Sequence, residues 1–228
     1  MLLDIEGTTT PVRFVYETLF PYARKHGPDY LRQFWDSDLL RPVRNQLLQQ
    51  NELDAPEGAP RLSREPELAT AIEYYEWLMD RDRKVTPLKT IQGLVWERGY
   101  ASGSLHSEVY PDVPRAFSRW REDGLSIAIY SSGSVLAQQQ LLRYTNYGDL
   151  TGFLSAYFDT GTGGKREVKS YAAIARSLNF AAPDICFVSD TTEEIEAARA
   201  AGLKAVLCVR ENAPVPLGSV IGSFDELP

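Results

Sequence analysis

The sequence predicts an α/β fold, a doubly wound parallel sheet carrying an inserted all-helical cap. Three observations predict it. Short apolar runs alternate with helical periodicity from about residue 104 onward, and such alternation means parallel pairing through crossover helices. A strand-like run, Leu2 to Ile5, opens the chain far from the others. The stretch between, about 13–103, carries helical spacing and no clear strand.

Taken in order, the first run is short for a core strand, so the chain is expected to lack a few residues at its start. Gly7-Thr8-Thr9-Thr10-Pro11 then turns the backbone. Helices are expected over 14–25, 29–48, 65–81 and 88–98, where apolar residues such as Leu68, Ile72, Tyr75 and Leu78 recur on one face. The Pro- and Gly-containing segment 51–64 divides them into pairs. Strands are expected at 126–130, 156–158, 185–189 and 205–209, with helices at 135–144, 171–178 and 193–201 between them. Gly202 stops the last of these helices as a C-terminal cap. The core is therefore 1–12 with 104–228, and the cap is 13–103.

The chain has 228 residues, 43% hydrophobic and 24% charged. Both fractions are average for globular proteins and exclude disordered and fibrous classes. Lys and Arg total 24 against 31 Asp and Glu, a net charge of −7. That excludes a surface built to neutralise nucleic-acid phosphates, which must be basic. It leaves open a small phosphorylated substrate, which needs only a few local donors. No apolar run approaches the roughly 18 residues of a membrane span, and Met1-Leu2-Leu3-Asp4 turns polar too early for a signal peptide. Cys186 and Cys208 sit in separate apolar runs and read as buried free thiols of a reduced, cytoplasmic protein.

Ligands of such sheets bind outside the carboxyl ends of the strands. Asp4 and Glu6 follow the first strand and point to one side, with Gly7 allowing a sharp turn. Two such carboxylates serve as nucleophile and acid, as metal ligands, or as a polar strand cap. Ser131, Ser132, Gly133 and Ser134 follow the next long strand and lead into a helix, where hydroxyls and free N–H groups hold phosphate or simply cap the helix. Thr160 to Gly164 form a Gly-rich loop ending in Lys165, with Arg166 and Lys169 as nearby competitors. Asp190 ends the strand at 185–189 and suits a divalent cation. Glu194 either touches that metal shell or closes a capping box with Thr191. Together these residues would bind a divalent metal, neutralise a phosphate and attack it. Mg²⁺ suits carboxylate, water and phosphate oxygens.

The ordered set Asp4-x-Glu6-Gly7-Thr8, Ser131, Lys165 and Asp190 resembles the haloacid dehalogenase superfamily of aspartate-nucleophile phosphohydrolases. Lys165 takes the lysine position because Tyr171 lies six residues on, as is usual there. That superfamily usually has Asp where Glu6 stands. Leu3-Asp4-Ile5-Glu6-Gly7-Thr8-Thr9-Thr10-Pro11, Val109-Tyr110-Pro111-Asp112-Val113, Tyr130-Ser131-Ser132-Gly133-Ser134 and Tyr157-Phe158-Asp159-Thr160 are similar to the enolase-phosphatase (acireductone synthase) family of methionine salvage. The similarity covers nearly the whole chain, with Leu141-Leu142-Arg143 a mild departure.

The resemblance implies conversion of 2,3-diketo-5-methylthiopentyl-1-phosphate to the acireductone plus phosphate, by a cytoplasmic Mg²⁺-dependent monomer. It implies Asp4 as nucleophile and metal ligand, and Glu6 as general acid/base and metal ligand. It implies Ser131, Ser132 and Gly133 at the phosphate, Lys165 as its counter-charge, and Asp190 as a metal ligand. The helical insert would be the lid. The enolisation base stays open, with His26, His106 and Glu17 as candidates by chemistry. Two other functions stay open as well: a Mg²⁺ phosphatase of another small ester, and a non-catalytic binding protein on the same fold.

Overall fold

The computed structural model describes residues 1–210 and 220–228; the expected core range 104–228 includes 211–219, which lie outside the described residues. Two compact units are present, 1–15 with 106–228, and 16–105. Strand β1 is Leu2–Leu3, followed by the single-turn α1 at Val12–Phe14 and a π-turn at Val15–Leu19. The smaller unit then carries α2 (Phe20–Phe34), α3 (Arg41–Asp54), α4 (Leu68–Asp80) and α5 (Thr86–Ala101). The larger unit continues with α6 (Asp112–Glu122), β2 (Ile127–Tyr130), α7 (Val135–Arg143), β3 (Leu154–Phe158) and α8 (Val168–Leu178). It ends with β4 (Cys186–Ser189), α9 (Thr192–Ala200), β5 (Lys204–Cys208) and β6 (Val220–Ile221).

The six strands form one sheet in the order β3-β2-β1-β4-β5-β6, with every pairing parallel. Leu2 pairs with Ala128 on one side and Phe187 on the other. The sheet therefore runs outward both ways from β1, and its switch point lies at the carboxyl end of β1, where Asp4 stands. Strand β1 is fully buried although only Leu2 and Leu3 form it. The expected strand to Ile5 ends early because the Ile5 carbonyl turns to accept the N–H groups of Thr8, Thr9 and Thr10 at 3.2, 3.0 and 2.9 Å.

Two elements of the larger unit are not among those expected from the sequence. Helix α6 buries Val113, Ala116, Phe117 and Trp120, a plain i, i+3, i+4, i+7 spacing. Strand β6 is only two residues at the sheet edge, too short for any periodicity. These elements meet at a buried ion pair. Arg210 donates from Nη1 to Asp112 Oδ2 at 2.5 Å, and Phe224 N–H and Ser223 Oγ donate to the same oxygen at 2.6 and 3.1 Å. The guanidinium lies between the rings of Tyr110 and Phe224, 4.5 Å from each. Its Nε donates to the Thr8 carbonyl at 2.8 Å, which ties the pair to the turn after β1.

The smaller unit is all-helical around an apolar core that includes Leu31, Leu47, Tyr74, Tyr75, Leu78 and Ile91. Its helix boundaries differ from those expected. The break expected near Pro28 is absent, and α2 runs through it. Gly27 leaves room for the Tyr75 ring (a Cβ there would lie 2.5 Å from it), and the Tyr75 hydroxyl donates to the Ala23 carbonyl at 2.9 Å. Packing at that face overrides the lost backbone bond. The chain breaks instead between α2 and α3, where Ser37 Oγ donates to the Phe34 carbonyl at 2.6 Å, a local bond that competes with the helix ladder.

Burial alone would push the Asp112 carboxyl up, but the bonds from Arg210 and Phe224 and the Arg210 charge outweigh it and hold it below the ordinary carboxylate range. A carboxylate depressed in the folded state stabilises above its unfolded value, and that contribution is lost as pH falls through the folded one. Asp112→Asn leaves the Arg210 charge buried without a counter-charge and is expected to cost about 3 kcal/mol at neutral pH. The gap from wild type is expected to close on acidification. Urea melts of both chains from about pH 7 to about pH 3 check this; a gap that stays constant contradicts it.

Candidate active site

The carboxyl ends of β1, β2, β3 and β4 carry the polar residues of interest. Asp4 continues β1, its N–H donating to the Val188 carbonyl at 2.9 Å, and it is 4% exposed. Lys165 Nζ lies 2.6 Å from Asp4 Oδ1 and 2.7 Å from Glu194 Oε2. The Ile5 N–H donates to the same Asp4 oxygen at 2.8 Å. Ser189, at the end of β4, donates to Glu194 at 2.8 Å and reaches Asp4 Oδ2 at 3.4 Å. Burial would lower the Lys165 ammonium, but the charges of Asp4 and Glu194 outweigh it and keep it above the ordinary lysine range. Burial and the Asp4 charge push Glu194 up.

The core itself aims Lys165. Tyr130 on β2 and Tyr171 on α8 meet edge-on at 5.6 Å, and Tyr171 meets Phe187 on β4 at 5.1 Å. Their hydroxyls leave the apolar cluster at the loop: Tyr130 donates to the Gly163 carbonyl at 2.9 Å and Tyr171 to the Lys165 carbonyl at 2.5 Å. Ser170 donates to the Gly164 carbonyl between them at 2.8 Å. Gly163 sits at φ 143°, and a Cβ there would lie 2.2 Å from Ser170 Oγ. The competing cations are elsewhere. Lys169 pairs with Glu167 at 2.9 Å with its side chain 82% exposed, and Arg166 is an exposed residue 3.8 Å from Glu193.

Asp190 stands against the turn after β1. Gly7 is at φ 70°, and a Cβ there would lie 2.1 Å from Asp190 Oδ2. Partial burial against that turn and the Asp4 charge raise the Asp190 carboxyl above its ordinary value. Thr191 Oγ1 donates to Asp190 Oδ1 at 3.0 Å. The sequence allowed a capping box between Thr191 and Glu194, but Thr191 makes no side-chain cap bond in α9. Glu194 turns to Lys165 and Ser189 instead, because a charged partner in a buried place outweighs one exposed backbone bond. Glu6 is half-buried beside the turn, and its backbone bridges to Thr10.

The serine loop at the start of α7 is shaped from β3. Ser131 is buried, donating its N–H to the Phe158 carbonyl at 3.1 Å, and Ser132 is exposed. Ser131 Oγ accepts the Gly133 N–H at 3.2 Å. Gln138 Nε2 bonds both the Gly133 and Phe158 carbonyls at 2.8 and 2.9 Å. Two N–H groups of the helix start already have partners: Val135 donates to Asp159 Oδ2 at 3.3 Å and Ala137 to Ser134 Oγ at 3.3 Å. Gln138 and Asp159 are contributors to the site that sequence reasoning missed. Asp159 did fall in a recognisable block, but nothing local shows that it caps a helix twenty-four residues earlier.

Of the three candidate bases, His106 and Glu17 are exposed and His26 stacks on Tyr22 at 4.3 Å. Among the described residues no three His, Cys, Asp or Glu side chains gather as a metal-holding set.

Asp4, Ser131, Lys165 and Asp190 all lie within the stretch that resembles the family of haloacid dehalogenase-like hydrolases. The profile of that family matches residues 1–202. The chain belongs to the haloacid dehalogenase-like hydrolases. Among relatives of this hydrolase, a Synechococcus elongatus protein named Enolase-phosphatase E1 is 48% identical over all of this chain and 96% of its own length. One of the same name from Drosophila grimshawi is 45% identical over 94% of this chain and 88% of its own. The crystal structure of UTR4 protein from Saccharomyces cerevisiae matches with a TM-score of 0.79 and 36% identity, covering 99% of this chain and 98% of that one. Among the described residues no helix of the hydrolase is long and apolar enough to cross a membrane.

Gly7→Ala tests the close approach of the turn to Asp190. The added methyl must displace the carboxylate or the turn, and a shift of about 1 Å costs on the order of a hundredfold in rate. A hundredfold loss of phosphatase activity with an unchanged far-ultraviolet spectrum is the expected outcome; a variant keeping half the wild-type rate contradicts it.

Proposed function

We propose that this chain is a bifunctional enolase-phosphatase of methionine salvage. It enolises 2,3-diketo-5-methylthiopentyl-1-phosphate and then removes the phosphate to give the acireductone. One observation carries the phosphatase half: the Lys165 ammonium lies 2.6 Å from a buried Asp4 carboxylate at the sheet switch point. Full-length similarity to proteins named Enolase-phosphatase E1 supports the enolase half. We assign the catalytic core to the larger unit and the cap to the smaller one.

Asp4 is the nucleophile. A carboxylate that attacks phosphorus splits hydrolysis into two easier steps, formation and breakdown of an aspartyl phosphate. Glu6 gives a proton to the departing enolate oxygen and then, as carboxylate, takes one from the attacking water. Ser131, Ser132 and Gly133 orient the phosphoryl oxygens, and Lys165 meets their charge. Glu194 and Ser189 hold Lys165 and Asp4 in register.

The donor chemistry fits a hard divalent cation. Two carboxylates, Asp4 and Glu194, flank one ammonium, and the Asp4 charge also reaches Asp190, which leaves an excess of negative charge that a divalent ion balances. All donors are oxygens, and two carboxylates with a backbone carbonyl leave places for water and phosphate, the pattern Mg²⁺ prefers. Asp4, Asp190 and Glu6 would hold it, Glu6 through its backbone carbonyl. Bound there, Mg²⁺ supplies charge stabilisation at the phosphoryl oxygens and at an enediolate. The two free cysteines, with Cys208 pushed by burial up to about 11, suit a reduced cytoplasmic protein. We take the monomer as its working form.

Phosphate release from the diketone phosphate, followed with ultraviolet detection of enol products, tests the reading with and without Mg²⁺. An enol species that precedes metal-dependent phosphate release is expected. Release only from other esters would move the function to a general phosphatase. Asp4→Asn is expected to lower turnover more than a hundredfold with the fold retained, since an amide cannot form the aspartyl phosphate. Lys165→Ala should cost several orders of magnitude while Lys169→Ala costs little; reversed effects would reassign the lysine.

A further inference from the structure

Three consecutive carbonyls lead up to and include Lys165, and each is held by a different side-chain hydroxyl. Tyr130 holds Gly163, Ser170 holds Gly164 and Tyr171 holds Lys165, at 2.9, 2.8 and 2.5 Å. All three hydroxyl-bearing residues are fully buried, at 0% exposure. Fastening one loop from both β2 and α8 is more than packing requires. A Gly-rich loop at the surface satisfies its carbonyls with water at no cost in specificity.

The side-chain end of Lys165 has a different kind of anchor. Its ammonium is held by Asp4 and Glu194. Under the proposed function, on which this inference rests, Asp4 becomes esterified to phosphate and loses its negative charge at that oxygen. One of the two ionic anchors is thus weakened in mid-reaction. The backbone anchors are not, because neither the phenols nor Ser170 change charge. Burial raises both tyrosine hydroxyls above the ordinary phenol range, so they remain donors at any working pH.

We propose that Tyr130, Ser170 and Tyr171 are positioning residues that fix the Lys165 backbone, so that its ammonium stays on the phosphoryl group after Asp4 has been consumed. The device is a hydroxyl clamp on a catalytic lysine, built from the apolar core outward.

Tyr171→Phe and Ser170→Ala each remove a single oxygen and leave the core volume almost unchanged. Tyr157→Phe is the control. The Tyr157 hydroxyl is buried and has no hydrogen-bond partner among the described residues, so its loss should leave turnover as it is. Two readouts are taken on the whole protein. One is kcat and KM for the diketone phosphate. The other is the rate at which acetic anhydride modifies Lys165, read by peptide mass against the exposed Lys169 of the same chain. Each hydroxyl deletion is expected to lower kcat about tenfold, to change KM less, and to speed Lys165 modification severalfold.

Variants that melt at lower temperature yet keep the wild-type kcat and the wild-type modification rate would assign the hydroxyls to stability alone and overturn the proposal. If Tyr171→Phe does not fold, Ser170→Ala decides by the same two readouts. If the wild-type chain leaves the diketone phosphate untouched, the function fails separately; the modification rate then decides the clamp by itself, and an unchanged rate overturns it.

Discussion

The Lys165 ammonium, buried between Asp4 and Glu194, is the interaction around which the larger unit is arranged. Ion pairs out of water are poor stabilisers, because desolvation offsets most of the attraction. Two carboxylates on one ammonium are worse still, since negative charge is left over. The fold bears that cost at one place, the carboxyl end of β1, and the cost is of the kind met at reactive sites. The rest of the larger unit reads as support for it. The sheet supplies the strand ends, the aromatic core supplies hydroxyls to the lysine loop, and Gln138 with Asp159 shapes the serine loop.

A second constraint is the lack of slack in the turn after β1. The Ile5 carbonyl accepts three N–H groups, Arg210 holds the Thr8 carbonyl, and the Tyr110 N–H holds the Thr9 carbonyl at 3.0 Å. Gly7 is pressed against Asp190. The turn that carries Glu6 is thus determined by residues from α6's approach, from the end of β5 and from β4. None of these is its neighbour in sequence. Specific geometry at a site needs such outer support, because a loop fixed only at its ends is too loose by about an ångström.

Much of this was legible in the sequence for a definite reason. In a parallel α/β sheet the residue that follows each apolar run is the residue at the ligand edge. Asp4, Ser131 and Asp190 could therefore be placed without knowing any contact, whereas Lys165 stands apart from Arg166 and Lys169 only through the family resemblance. Lys165 and Lys169 differ sharply in burial, the first against Asp4 and the second exposed. Local patterns failed where a distant partner competed with them. Thr191 and Glu194 have the spacing of a capping box, yet Glu194 serves Lys165. Pro28 has the look of a helix stop, yet Tyr75 seats against Gly27 and α2 continues. Helix α6 lies outside the expected elements although Val113, Ala116, Phe117 and Trp120 mark its face.

The sequence by itself determined the class of the fold, the alternation of strands and helices, the helical insert after the first motif, and the polar residues that stand at the strand ends. Those follow from periodicity and from chemistry that sits next to the strands in the chain. Only the tertiary structure decided which oxygen meets which ammonium, that Glu194 is a partner rather than a cap, and that three hydroxyls hold the lysine loop. Those are contacts between residues as far as 161 positions apart (Lys165 with Asp4). No local pattern encodes them, because they arise only when burial forces each polar group to find a partner.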